Sequence, residues 1–210
     1  MKHQDEIWIK LKDLSLPGIL VIPENASGLV IFSHGSGSSR LSSRNNYVAS
    51  VLNRNNLGTL LFDLLTEKED LIYENRFNID LLTQRLIEVT LQLKKQTNTG
   101  NLNFGIFGAS TGAASALRAA ANLHEEIKAV VSRGGRVDMA QESLQMLEAP
   151  TLFIVGEKDE VVLQLNQTAI EQISGTKEME IIPGATHLFE EEGALDKVAD
   201  LTADWFKTYL

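Results

Sequence analysis

Residues 108–112 read Gly-Ala-Ser-Thr-Gly, a Gly-x-Ser-x-Gly pattern whose flanks determine its interpretation. The apolar run 103–107 that precedes it is typical of a buried strand, and the alanine-rich stretch 113–121 that follows contains strong helix formers and no helix breaker. This order predicts a strand that turns abruptly into a helix with Ser110 at the apex, a nucleophile elbow. Glycines are expected on both sides because a Cβ atom there would strike a neighbouring strand or helix.

The serine at this apex would lie at the N-terminus of the new helix. Backbone N–H groups and the positive end of the helix dipole favour negative charge that develops there. Glycine, alanine and serine are common residues, so the pentapeptide alone is weak evidence. A plain strand–turn–helix connection without chemistry is the alternative interpretation.

Composition indicates one ordinary globular domain spanning residues 1–210, with 43% hydrophobic and 22% charged residues. A net charge of −9 argues against a nucleic-acid surface, which needs a basic face. The absence of cysteine excludes disulfides, thiolate metal sites and cysteine nucleophiles. Because residues 1–6 are polar and no apolar run approaches the ~18 residues of a membrane span, we expect a cytoplasmic protein with no membrane partner.

Short apolar runs alternate with helical patterns along the chain. This alternation predicts an α/β fold with a doubly wound, mostly parallel sheet and helices on both faces. An N-terminal antiparallel hairpin at the sheet edge is predicted from 7–16 and 19–22, with its turn at Pro17-Gly18. The other predicted strands are 28–33, 58–63, 103–107, 129–132, 151–156 and 178–182, and the predicted helices are 45–54, 80–95, 113–121, 166–173 and 194–209.

Ligands of such sheets bind beyond the carboxyl ends of the strands, where the candidate catalytic residues fall. A serine needs a base to act as a nucleophile, and the base needs an acid to orient it. Of the four histidines, His187 follows the last predicted strand and is placed to reach Ser110. Asp159 follows the preceding strand and is our choice of acid, with Glu157 and Glu160 as alternatives.

Each of these residues also has an ordinary structural explanation. A histidine in a loop is usually solvated, and an aspartate after a strand often caps a helix or a turn. The prediction of a triad therefore depends on three such residues occurring together, each at the right strand end.

The loop 34–40, His-Gly-Ser-Gly-Ser-Ser-Arg, follows the first parallel strand. We expect the backbone N–H groups of Ser36 and Thr111 to form an oxyanion hole, with Gly35 allowing close approach. His34 is expected to hold the loop by hydrogen bonds or to contact substrate, rather than to act as the base. A phosphate cradle is the alternative, but the loop lacks the Lys-Ser/Thr ending of a P-loop.

The chain resembles the α/β-hydrolase superfamily, and within it the small, lidless dienelactone-hydrolase-like branch. The order Ser110, Asp159, His187 matches the serine–acid–histidine order of that superfamily. Further motifs resemble a group of small bacterial hydrolases, some of which are fused to phosphoribosyltransferase-like domains. These motifs are those at 34–40, 43–45, 62–66, 108–113 and 132–136.

The resemblance implies cofactor-free cleavage of an ester, thioester or related acyl bond, with no metal and no cap domain. Dienelactone hydrolase itself uses a cysteine nucleophile, which this chain lacks, so its lactone substrate is not carried over. The alternatives are a non-catalytic ligand- or partner-binding module on the same scaffold, and acyl transfer to an acceptor other than water. The oligomeric state is left undetermined.

Arginines at the same edge of the sheet suggest what the substrate looks like. Arg40, Arg44, Arg133 and Arg136 lie in or near the loops at this edge of an acidic protein. Guanidinium groups bind carboxylates and phosphates, so a small anionic acyl substrate is one hypothesis. The equally open alternative is that these arginines pair with nearby acidic residues and hold loops together.

Overall fold

A computed structural model of the chain describes residues 3–210, with the side chains from Glu6 onward except those of Gln141 and Glu142. Eight strands in this part of the chain form one sheet in the order β1-β2-β4-β3-β5-β6-β7-β8. Their bounds are β1 His3–Lys10, β2 Ser15–Ile22, β3 Gly28–Ser33, β4 Leu57–Phe62, β5 Asn103–Ala109, β6 Ile127–Arg133, β7 Thr151–Gly156 and β8 Lys177–Ile182.

The N-terminal strands form the expected antiparallel hairpin at the sheet edge, but the predicted turn is wrong. The turn spans 11–14, where the Leu11 N–H donates to the Leu14 carbonyl at 2.8 Å. Pro17 lies inside β2 opposite Trp8. Pairing of β2 with β4 begins only at Gly18, so Pro17, which has no N–H to donate, lies just outside that ladder.

Strands β3 to β8 pair in parallel, as the apolar runs predict. Every residue of β3, β4 and β7 is buried, because helices cover both faces of the sheet. The helices are α1 Ser43–Arg54, α2 Glu67–Asp70, α3 Ile79–Lys94, α4 Thr111–Leu123, α5 Glu160–Ile170 and α6 Ala194–Tyr209. One apolar cluster lies under α3, α4 and α5, and a second lies under α1 and α6.

Two segments differ from the sequence prediction. Helix α5 begins at Glu160 rather than near Asn166. The sequence prediction places its start too late because exposed apolar residues in the first turn, such as Val161, obscure the helical periodicity. The segment 64–77, where the sequence analysis predicts no helix or strand, contains α2 and a 3₁₀ helix at Tyr73–Phe77.

Within residues 3–210, no cap domain interrupts the fold. Between β6 and β7 the described backbone forms a 3₁₀ helix at Val137–Met146, which leaves the carboxyl edge of the sheet uncovered. Within residues 3–210, no helix is both long and apolar enough to cross a membrane.

Close backbone contacts fix α4 on the sheet. A Cβ atom on Gly112 would lie 2.3 Å from the Ser33 carbonyl oxygen and 2.4 Å from that of His34. A Cβ atom on Gly108 would lie 2.5 Å from the Ala113 Cα atom. Backbone atoms cannot move aside as a flexible side chain can, so both glycines are needed for strands β3 and β5 to meet the helix.

We expect Gly112→Ala to lower the free energy of unfolding by about 3 kcal/mol or more, because the methyl group overlaps two carbonyl oxygens. Gly37→Ala is the matched control: its φ is +68° but nothing lies within 4 Å of the added methyl group. That control should lose only about 1 kcal/mol, the usual cost of a residue other than glycine at positive φ. Urea unfolding measures both, and equal losses would contradict the steric argument.

Candidate active site

Ser110 lies at the apex of a strained turn between β5 and α4. Its φ of 54° and ψ of −123° are unusual for a residue other than glycine. The turn is held by hydrogen bonds to the end of β6: the Ser110 N–H donates to the Arg133 carbonyl at 3.1 Å, and the Ser110 carbonyl accepts from the Arg136 N–H at 3.0 Å. The structure therefore has the abrupt strand–turn–helix connection, with Ser110 at its apex, that the sequence predicts.

The structure brings Ser110, His187 and Asp159 together in one hydrogen-bonded chain. His187 Nδ1 lies 2.5 Å from Asp159 Oδ2, and His187 Nε2 lies 3.2 Å from Ser110 Oγ. Because a carboxylate can only accept, Nδ1 carries the proton and Nε2 is left to accept from the serine hydroxyl. This tautomer and alignment are what a base needs to remove the serine proton.

Close packing between the end of β7 and the loop after β8 positions Asp159 and His187. A Cβ atom on Gly156 would lie 2.4 Å from the Ala185 carbonyl oxygen. The Lys158 N–H donates to that same carbonyl at 2.9 Å. This contact sets Asp159, at the start of α5, beside the loop that carries His187.

The alternative acids have other positions. Glu157 Oε2 accepts from the Gly184 N–H at 2.6 Å and so holds the turn after β8, whereas Glu160 is an exposed first residue of α5. Asp159 occupies the N-cap position of α5 but makes no capping hydrogen bond. Its side chain is only 14% exposed and is directed at His187 instead.

Glu191 was not identified from the sequence, yet it supports the histidine loop. Its Oε1 atom accepts from the Thr186 N–H at 3.1 Å, and hydrogen bonding from Thr186 lowers the pKa of this carboxyl. Phe189, between them, is buried at a φ of 55°. Only the left-handed backbone of this loop brings Glu191 back to Thr186, so no local pattern could have revealed the contact.

The predicted oxyanion hole requires a correction. Thr111 is the first residue of α4, so its N–H has no partner within the helix and remains available. The Ser36 N–H, in contrast, donates to Thr111 Oγ1 at 2.8 Å. Ser36 is therefore not a free donor in this structure, because the Thr111 hydroxyl oxygen accepts its hydrogen bond.

His34 holds loops together rather than presenting a free nitrogen to substrate. Its Nδ1 lies 2.9 Å from the Gly35 carbonyl and its Nε2 accepts from the Leu64 N–H at 3.1 Å. Burial lowers the pKa of this imidazole, which is consistent with a neutral ring that uses both nitrogens. Gly35 itself lies against the elbow, where a Cβ atom would be 3.1 Å from Ser110 Cβ.

Two of the predicted substrate-binding arginines are engaged elsewhere. Arg40 donates from its backbone and its guanidinium to the Asp63 carboxylate, at 2.7 and 2.5 Å. Arg136 forms a bidentate pair with Asp138, at 2.9 and 2.8 Å. In this structure the guanidinium groups of both arginines are paired with local carboxylates, as the alternative interpretation of these arginines expects.

Arg133 differs from them. It is only 7% exposed, and its Nε and Nη1 atoms have no hydrogen-bond partner. Burial, with a smaller effect from the positive charge of Arg44, lowers the pKa of Arg133 to about 10. Its guanidinium carbon lies 6.0 Å from the ring centres of both Phe107 and Phe189.

A cavity of about 220 Å³ opens over the serine. It is lined by Ser110, His187, Arg133, Arg44, the N-terminus of α1 and the loop 35–38. A second groove of about 540 Å³ lies between the N-terminal hairpin and the segment 63–70, and the two spaces share Ser38. Among the side chains that the structure describes, no three His, Asp or Glu residues are grouped to hold a metal ion.

Known proteins resemble this chain in both sequence and structure. It is 52% identical over 208 residues to Mycobacterium tuberculosis proteins named as phosphoribosyl transferases, in strains CDC 1551 / Oshkosh and ATCC 25618 / H37Rv. That match covers 99% of this chain but 47% of each relative, so the chain spans about half the length of these curated relatives.

Solved structures resemble it over its whole length. The crystal structure of dienelactone hydrolase from Anabaena variabilis ATCC 29413 is 48% identical, with a TM-score of 0.97, and the match covers 100% of this chain and 99% of that one. Est1E from Butyrivibrio proteoclasticus shares the fold at 17% identity and a TM-score of 0.82, over 97% of this chain and 98% of the other. The model of the dienelactone hydrolase family matches residues 12–210. This chain therefore belongs to the dienelactone hydrolase family of α/β hydrolases.

Proposed function

We propose that the protein is a serine hydrolase that cleaves a small ester, thioester or related acyl bond through an acyl-enzyme intermediate. The observation that carries this proposal is the chain of hydrogen bonds from Ser110 through His187 to Asp159. Membership of a hydrolase family supports the reaction class. The candidate nucleophile is a serine, which needs a base because its hydroxyl is far less acidic than a thiol.

The first half of the proposed reaction forms the acyl-enzyme. His187 Nε2 takes the hydroxyl proton as Ser110 Oγ attacks the carbonyl carbon, and the carbonyl π electrons move to oxygen. The Asp159 carboxylate holds the resulting imidazolium in place and stabilises its charge. Collapse of the tetrahedral intermediate breaks the bond to the leaving group, which takes the proton from Nε2.

The second half releases the product acid. Water gives a proton to His187 Nε2 and attacks the acyl carbon. A second tetrahedral intermediate collapses, the bond to Ser110 Oγ breaks, and the serine recovers its proton from the imidazolium. His187 is 36% exposed, so water can approach it without movement of a lid.

We propose that Thr111 supplies both donors for the oxyanion. Its N–H is unpaired at the start of α4, where the helix dipole adds favourable potential. Its hydroxyl oxygen accepts from the Ser36 N–H, so the hydroxyl proton must point to a different acceptor. The developing oxyanion is the acceptor we propose, with Ser36 orienting the hydroxyl rather than touching substrate.

The name phosphoribosyl transferase belongs to relatives more than twice as long as the matched segment, since the match covers 47% of them. The family model that matches residues 12–210 is that of a hydrolase. We therefore do not propose phosphoribosyl transfer for this chain. A non-catalytic binding module remains the competing function, and it gives no reason for an aligned base and acid.

We expect a fluorophosphonate probe to add to the wild-type protein at Ser110, because an activated serine attacks phosphorus as it attacks an acyl carbon. Ser110→Ala should not be labelled, and Ser39→Ala, a serine in the loop 34–40, should be labelled like the wild type. Intact mass with peptide mapping measures this. No labelling of a folded wild-type protein would favour the binding-module alternative.

We expect Thr111→Val to lower kcat by about 100-fold with little change in KM, the usual loss of one oxyanion donor. Thr111→Ser keeps the hydroxyl and should stay close to the wild type. Steady-state hydrolysis of a chromogenic ester, with circular dichroism to confirm folding, tests both variants. If the activity of Thr111→Val is within threefold of the wild-type activity, the Thr111 hydroxyl is not an oxyanion donor, and the Ser36 N–H becomes the candidate for the second donor.

A further inference from the structure

Arg133 is a buried cation without an anion. Buried arginines are almost always paired, since removing the charge from water costs several kcal/mol. No described acidic side chain forms an ion pair with Arg133, and its Nε and Nη1 protons are unused. The Phe107 and Phe189 rings at 6.0 Å accept no conventional hydrogen bond from these protons.

The surroundings of Arg133 in the catalytic cavity are also positive. Arg44 lines the same cavity, with its Nε atom unpartnered and its Nη1 atom 3.2 Å from Glu190 Oε1. Glu190 is 66% exposed, so solvent screens that pair. The carboxylate of Asp159 faces the cavity only through His187, to which it is bonded.

The N-terminus of α1 points to the same chemistry. This 12-residue helix begins beside the cavity, with Ser42 as its N-cap and no acidic side chain in its first turn. The positive end of its dipole is therefore not offset from within the helix. Asn45, 2% exposed, also lines the cavity, but its unpartnered side-chain oxygen is an acceptor and does not itself favour an anion.

We infer that Arg133, Arg44 and the start of α1 form a subsite for a small oxyanion, a carboxylate or a phosphate, that is part of the substrate. The inference rests on the proposed hydrolase function, because the subsite shares its cavity with Ser110 and His187. A volume of about 220 Å³ must hold both the anion and the reacting carbonyl group. The negative group therefore lies within a few bonds of the acyl carbon.

This arrangement has a physical rationale in a protein of net charge −9, which otherwise repels anions. A guanidinium group kept dry and unpaired costs stability in the free protein but binds an oxyanion strongly when one enters, because water does not screen it. A substitution that removes this buried charge should therefore stabilise the protein, whereas loss of an arginine that only supports the structure would destabilise it. Arg133→Met should raise the Tm of the ligand-free protein.

The kinetic test compares two umbelliferyl esters with the same leaving group, the neutral butanoate and the singly charged monosuccinate. Wild type should prefer the monosuccinate. In Arg133→Met, kcat/KM for the monosuccinate should fall about 30-fold or more, as when one partner of a buried charge pair is removed, with the butanoate within threefold of wild type. Arg54→Met, which removes an exposed arginine at the opposite end of α1 from the cavity, is the matched control and should behave like the wild type.

Equal use of the two esters by the wild type, or a parallel loss of both in Arg133→Met with a lower Tm, would overturn the subsite. Either result leaves the serine hydrolase proposal standing if the butanoate is cleaved and the fluorophosphonate probe adds.

Binding to Ser110→Ala separates the subsite from catalysis. Succinate and inorganic phosphate are titrated by calorimetry into Ser110→Ala and into Ser110→Ala/Arg133→Met, with neutral succinamide as the reference. Binding of either anion only where Arg133 is present supports the subsite, even if no ester is cleaved, and the stronger ligand identifies carboxylate or phosphate chemistry. Binding of neither anion to Ser110→Ala would overturn it.

Discussion

The contact between Gly112 and the end of β3 is the constraint on which the rest of the site depends. A Cβ atom on Gly112 would lie 2.3 Å from the Ser33 carbonyl oxygen, so the second residue of α4 must be a glycine for the helix to pack this closely. That close packing forces Ser110 into its strained backbone and sets its hydroxyl above the sheet edge. It also brings the loop after β3 against the helix start, where the Ser36 N–H reaches the Thr111 hydroxyl.

The other half of the site comes from close packing at the far side of the same edge. Gly156 lets β7 approach the loop after β8, which places Asp159 against His187. The site is thus formed by two rigid contacts on either side of β6, and β6 ends in Arg133. Between them lies the guanidinium group of Arg133, which is buried and lacks hydrogen-bond partners at Nε and Nη1.

The turn at Ser110, the proximity of Ser110, Asp159 and His187, and a sheet covered by helices on both faces could be predicted from the sequence. Short patterns and chain order determine which residues reach the carboxyl edge of the sheet. The different environments of the arginines could not be predicted from the sequence. Arg136 and Arg133 are three residues apart, yet Arg136 pairs with Asp138 whereas Arg133 lines the cavity beside Ser110. Such choices depend on side-chain packing between distant segments, as do the hairpin turn at 11–14 and the bond from Ser36 to Thr111.

The most direct measurement is a crystal structure of the wild-type protein after reaction with a neutral organophosphate. Our account predicts a phosphorus bond to Ser110 Oγ, with the phosphoryl oxygen about 2.7–3.1 Å from the Thr111 N–H and from the Thr111 hydroxyl. His187 should stay bonded to Asp159 beside the adduct. An adduct on another residue, or a phosphoryl oxygen turned away from Thr111, would contradict the account.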